Sequence, residues 1–245
     1  MVEENNQENN CQVSKGDVGE LIKDFGQIIL DNNKFHYRIH LLNIIGEIEG
    51  HENLGQNAKT TKYEHVLPQL AAVEENQSID GLLVMLNTVG GDVEAGLAIA
   101  EMIASISKPK VCLVLGGGHS IGVPLAVSGD VTFIVPSASM VVHPIRINGT
   151  VLGVKQNFEY IEKMQERIIN FTVSHCDANE EKIKNIMFNT KELTKDVGSV
   201  LVGKQAVDCG IIDKMGGINS ALLCLYDLIN AAKNSRISSY DFSDD

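Results

Sequence analysis

Apolar positions in this chain cluster into short unbroken runs, each closed by glycines and followed by a stretch of helical period. GLLVMLN (81–87) and KVCLVL (110–115) are such runs, leading into VEAGLAIAEMIASI and IGVPLAVSG. VTFIV (131–135) and SMVVH (139–143) read as two further strands, and YRIHLLNIIGEI (37–48) as an earlier strand ending at Gly46. A strand that is apolar on both faces needs cover on both. The repeated strand–glycine turn–helix unit therefore predicts an α/β protein. In such folds, reactive groups gather where strands end and helices begin.

Outside these units the period changes. VKQNFEYIEKMQERIINFTVSHC spaces Phe158, Ile161, Met164 or Gln165, Ile168 and Phe171 for one long helix. NEEKIKNIMFN predicts a second helix, with Asp177 or Asn179 as cap, and a final apolar helix spans about 218–232. On the N-terminal side, HVLPQLAAVEENQ looks helical and HENLGQNAKTTKYE looks like an exposed loop. VGELIKDFGQIIL predicts a short amphipathic helix with Val18, Leu21, Ile22 and Phe25 on one face. Residues 1–16 are Asn/Glu/Gln-rich and expected to be disordered, 17–235 to form a single domain, and 236–245 to be a flexible acidic tail.

Composition narrows the function classes. A net charge of -12 supplies no basic stripe for phosphates, which argues against nucleic acid and against an anionic membrane surface. The longest apolar runs fall well short of the ~20 residues of a membrane span. Five scattered cysteines without a CxxC pair fit reduced thiols better than a disulfide framework or a zinc site. The first residues have no basic and apolar leader pattern, so a cytoplasmic location is expected, with no metal and no cofactor.

Two turns carry candidate chemistry: NTVGGDVEAG (87–96) and GGGHSIGV (116–123). Glycine lets the backbone approach another group closely, and the following helix presents unpaired N–H groups. Side by side, such turns make an anion pocket, for a phosphate or for the oxyanion of acyl transfer. The chain lacks GxGxxG and GxxxxGK[ST], whereas GHSIG has the G-x-S-x-G spacing of the hydrolase elbow. Ser120 read alone is a helix cap, and His143, closing a strand before a proline, is more often structural than catalytic. Asp92 and Asp130 read as a helix start and a turn residue.

Taken together, these segments resemble the Clp protease proteolytic subunit (ClpP) family, a family of serine peptidases. LNTVGGDVEAGLAI is similar to its INSPGG-type segment, GGGHSIGVPLAVSGD to its nucleophile segment, MVVHPI to its catalytic-histidine strand, and GKQAVDCGIID to its closing AxEAxxYGLID-type segment. The likeness runs from about 37 to 215. Within the family, HPIRINGTVLGV, LTKDVG and IIDKMGG look most like a ClpP-like subgroup of spore-forming bacteria.

The resemblance implies Ser120 as nucleophile and His143 as general base. It implies the backbone N–H groups of Gly91 and Ile121 as oxyanion donors, and Asp196 as the acid orienting His143. Asp196 sits two residues further upstream than the family spacing. Other departures are His119 in place of a small residue, Pro124 early in the following helix, Val89 in place of a proline, and Arg146 and Ile147 after the histidine. The implied fold is a ClpP/crotonase-like spiral of β-β-α units with a projecting handle helix, here about 155–175. The implied assembly is a homo-oligomeric ring around its active sites, acting on an extended polypeptide substrate. Family members often work with an AAA+ unfoldase, a partnership that no motif in this chain itself indicates. Two readings stand beside the peptidase: a noncatalytic ring-forming protein that assists export or spore development, and a crotonase-type acyl-CoA fold. The last would not need Ser120 and His143 together.

Overall fold

A computed structural model describes residues 28–32, 36–52, 54–55, 57–147, 153–191 and 197–240. The expected disordered segment (1–16), the helix face over 18–25, Asp196 and residues 241–245 lie outside the described residues.

The parallel sheet is built from β2 (Tyr37–Glu49), β4 (Gly81–Gly91), β5 (Lys110–Gly118), β6 (Val131–Ile134) and β9 (Lys214–Met215). A short β3 (Thr60–Lys62) runs parallel to β2, and β1 (Ile28–Asn32) is an antiparallel edge strand. The unbroken apolar runs follow from cover on both faces. Leu82, Val84, Leu86, Cys112 and Val114 pack with α1 (Tyr63–Glu75) and α2 (Val93–Ser105). The alternate residues Leu83, Val111 and Leu113 meet Ala221, Leu225 and Ile229 of α7 (Ile218–Tyr240). Each strand thus has one face in each of two cores.

Four expectations change. HENLGQNAKTTKYE is not all exposed loop: Thr60–Lys62 form β3, with Thr61 buried, and Tyr63 and Glu64 open α1. Ile28, Ile29 and Leu30 are not the end of an amphipathic helix but the start of β1, paired with Leu41, His40 and Ile39. The open edge of β2 captures a β-branched segment whose local periodicity reads as helical. β2 does not end at Gly46: the register shifts between Gly46 and Glu47, and the strand continues beside Gly90 and Gly91. The last helix runs past 232 to Tyr240.

Beyond the main sheet, β7 (Ser139–Val142) pairs antiparallel with β8 (Ser199–Val202) and touches β5 through the single pair Gly117↔Ser139. Between β5 and β6 lies α3 (Gly122–Val127), buried along its whole length. The long helix α4 (Lys155–Ser174) is divided: Phe158 and Tyr160 are exposed at 62% and 58%, whereas Ile168, Ile169 and Phe171 are buried. The first half projects and the second half anchors. Two short helices follow, α5 (Glu180–Met187), capped by Asn179 Oδ1 on the Lys182 N–H, and α6 (Lys204–Asp208). No helix among the described residues is long and apolar enough to cross a membrane.

Candidate active site

The two glycine turns lie against each other and differ in construction. At the end of β4, Gly90 and Gly91 take φ of 94° and 146°, and Asp92 Oδ1 caps α2 by accepting the Ala95 N–H at 2.8 Å. After β5, the residue with left-handed backbone is Ser120 itself, at φ 57°. That conformation costs a non-glycine residue about 1–2 kcal/mol and persists only where neighbours over-determine it. The neighbours are present: Ser120 N–H donates to Val141 O at 2.8 Å, His119 N–H to Thr88 O, Gly122 N–H to His119 O, and Val123 N–H to Ser120 O. The reading of Ser120 as a capping serine is overturned, because α3 has no side-chain cap and its N-cap residue is Ile121. Among the described residues, the Ser120 hydroxyl and the Ile121 N–H donate to no group. Both are left available.

Close approach explains why Gly90 is glycine. A Cβ there would stand 2.6 Å from Ser120 Cβ and 2.8 Å from His119 O, in a backbone conformation that already disfavours a side chain. Thr88 ties the same corner together: its hydroxyl donates to Gly46 O at 2.6 Å and accepts the Gly90 N–H at 3.1 Å. Asn87 Oδ1 accepts the Gly117 N–H at 2.9 Å.

His143 follows β7 directly. Its Nδ1 lies 2.6 Å from Pro144 O; a carbonyl only accepts, so Nδ1 carries the proton and Nε2 keeps its lone pair, the tautomer a general base requires. Ser120, His143, Gly91 and Ile121 all line one cavity of about 260 Å³. Within that cavity the Ser120 hydroxyl and His143 are not hydrogen-bonded to each other. The inner wall is apolar, with Val142, Ile145, Ile168, Ile183 and Met187, and Glu47 and Arg146 also line the cavity.

The acids divide clearly. Asp92 is committed to its cap, and Asp130 pairs with Lys110, Nζ to Oδ1 2.7 Å. Gly198 packs against the histidine, since a Cβ there would be 2.5 Å from Val142 O and 2.8 Å from His143 Cβ. Asp196 itself is outside the described residues. Its near neighbour Gly198 is at the histidine.

Several residues that shape the site escaped sequence reasoning. Thr88, Asn87 and Gly198 have no distinctive local pattern, and act through partners far along the chain. Gln165 did leave a signal, a polar residue sharing the apolar stripe of α4. It is buried, and its Oε1 accepts the Ile145 N–H at 2.7 Å, holding the segment just after His143. His119 accepts the Val141 N–H on Nδ1 at 3.1 Å, and burial together with the nearby His143 pushes its pKa down.

Ser120, in its strained strand-to-helix turn, thus stands against the paired-glycine turn, and His143 lines the same cavity. The sequence matches the Clp protease family over residues 42–235, and the chain belongs to that family. It is similar to the translocation-enhancing protein TepA of Halalkalibacterium halodurans, 56% identical over 191 residues, covering 78% of this chain and 75% of that protein. It is also similar to the ATP-dependent Clp protease proteolytic subunit 2 of Treponema denticola, at 26% identity over 62% of this chain and 74% of that one. Proteolytic subunit 1 of Chlamydia trachomatis is 29% identical over 54% of this chain and 68% of that one.

Proposed function

We propose that this chain is a serine peptidase that cleaves extended polypeptides through an acyl-enzyme. Ser120 Oγ attacks the scissile carbonyl carbon while His143 Nε2 takes its proton. The tetrahedral oxyanion then collapses, expelling the amine, which receives the proton back from His143. Water hydrolyses the resulting ester by the same steps in turn. The N–H groups of Gly91 and Ile121 receive the oxyanion; losing one such donor costs about 2.7–4 kcal/mol of barrier in comparable sites. Asp196 is the acid proposed to orient His143, supported by Gly198 packing against the imidazole-bearing residue. Pro144 O, 2.6 Å from Nδ1, favours the same tautomer.

The observation that carries this reading is Ser120 at φ 57°, strained and uncapping, in the same cavity as His143. The relatives named as proteolytic subunits of an ATP-dependent protease support a polypeptide substrate and an ATP-using partner, with a homo-oligomeric ring and an AAA+ unfoldase as the forms the family resemblance suggests. The relative named for enhancing translocation supports a role in protein export, with sporulation as the setting the resemblance suggests. A second reading, a ring-forming assembly protein without turnover, is favoured by one observation. The Ser120–His143 hydrogen bond is not made, although such bonds are often long in unliganded enzymes and tighten with substrate.

Hydrolysis of an unstructured fluorogenic peptide separates the two. The wild type turns it over, and Ser120→Ala lowers kcat on the order of 10⁶-fold, as with other serine nucleophiles. Equal rates in the two proteins would assign the activity to a contaminant and leave the assembly reading.

A further inference from the structure

His119 is the residue the catalytic account leaves unused. Its main chain takes part in the nucleophile turn, donating to Thr88 O and accepting from Gly122, while its side chain turns the other way, to β7. The direct ladder between β5 and β7 is a single pair, Gly117↔Ser139. Past that pair, Val141 is held from both of its backbone groups. Its carbonyl accepts the Ser120 N–H at 2.8 Å, and its N–H donates to His119 Nδ1 at 3.1 Å. The imidazole thus takes the place of the backbone carbonyl that a longer β5 would offer.

We propose that His119 is a positioning residue. Its unprotonated Nδ1 pins β7 at Val141 and so sets the height of His143, two residues on, relative to Ser120. The inference rests on the peptidase reading of Ser120 and His143.

Three features make the device specific. The acceptor is an imidazole nitrogen bearing a lone pair, so the neutral ring must carry its proton on Nε2. Partial burial and the neighbouring His143 both disfavour the charged ring, which would turn Nδ1 into a donor facing a donor. The ring also needs room: a Cβ at Gly117 would stand 2.8 Å from His119 Nε2, so the middle glycine of the triplet matches the histidine. Gly117 and His119 form one unit. Neither the serine adjacent to the histidine nor the strand it holds tolerates drift, because displacement of a catalytic group by about 1 Å costs on the order of 10²-fold in rate.

The test compares full-length wild type, His119→Asn and His119→Leu. Asparagine keeps an acceptor oxygen on Cγ, where histidine has Nδ1; leucine fills similar space and accepts nothing. Amide hydrogen exchange of the 139–143 segment rises in His119→Leu and stays near wild type in His119→Asn. Labelling of Ser120 by a fluorophosphonate slows about tenfold to a hundredfold in the leucine variant and recovers with asparagine. Unchanged exchange in His119→Leu, or an asparagine variant as loose as the leucine one, overturns the proposal. If the wild type takes no label, the peptidase reading fails, while exchange still decides whether β7 is pinned. Should His119→Leu not fold, the long-range ¹H–¹⁵N spectrum of the wild type decides. An Nε2–H tautomer at His119 supports the pin, and an Nδ1–H tautomer refutes it.

Discussion

The two glycine turns look alike as sequence and are opposites as structure. In the first, glycines take the unusual backbone angles and an aspartate caps the helix, so its side chains serve folding and only the Gly91 N–H is proposed to meet the oxyanion. In the second, a serine takes the left-handed conformation and its hydroxyl caps nothing. The first turn is relaxed, with its unusual angles on glycines. The second holds strain at one residue with its functional group left free, which is how reactive sites are built. The lesson is that glycine content does not tell the two turns apart. What separates them is a side chain placed where only glycine is comfortable.

Changes that break the second turn should therefore cost activity, and changes to the first should cost stability. Alongside Ser120→Ala, the largest effect is expected for His143→Ala, which removes the base: peptide hydrolysis falls on the order of 10⁶-fold with the melting temperature nearly unchanged. Next is Gly90→Ala, at the seam between the turns. Its added Cβ meets Ser120 Cβ at 2.6 Å, so it should lose about 1–3 kcal/mol in urea titration and also slow fluorophosphonate labelling. Asp92→Ala tests the first turn alone, removing a cap worth about 1 kcal/mol while labelling proceeds at close to the wild-type rate. If Asp92→Ala instead abolished labelling, the division between a folding turn and a reactive turn would be wrong.

The smallest effect is a pH dependence of stability. Burial pushes the pKa of His40 below its ordinary 6.5, and burial with the neighbouring His143 does the same for His119. Above pH 6.5 both states are neutral at these positions and stability is flat. As pH falls below 6.5, the unfolded chain binds protons that the folded chain refuses, so stability declines until the folded pKa values are passed. Hydrogen bonds from Thr60, Ser107 and Arg167, with nearby cations, hold Glu49, Glu74 and Glu94 below the ordinary 4.5, so they titrate under this window. Urea midpoints at pH 7.5 and 5.5 should differ in the wild type and differ less in His40→Leu.

Sequence reading reached the fold because the apolar runs of β4 and β5 are uninterrupted, and only a sheet covered on both faces makes use of that. It reached Ser120, His143, Gly91 and Ile121 through motif resemblance, and these residues line one cavity. It misjudged β1, because pairing with the edge of β2 outweighs a local helical pattern, and nothing in IIL announces its partner. The strain at Ser120, the Pro144 carbonyl on His143 and the packing of Gly198 were invisible for the same reason. Each depends on chain segments that meet only after folding. His119 stood out as an odd residue, and its role lay in a backbone N–H far along the chain, at Val141.

The central claim, that the strained serine is the nucleophile, is tested most directly by mapping a fluorophosphonate adduct on the intact protein by peptide mass spectrometry. A single adduct on Ser120, lost in His143→Ala and unaffected by Asp92→Ala, is the predicted result. An adduct on another residue, or none on the folded wild type, would contradict it.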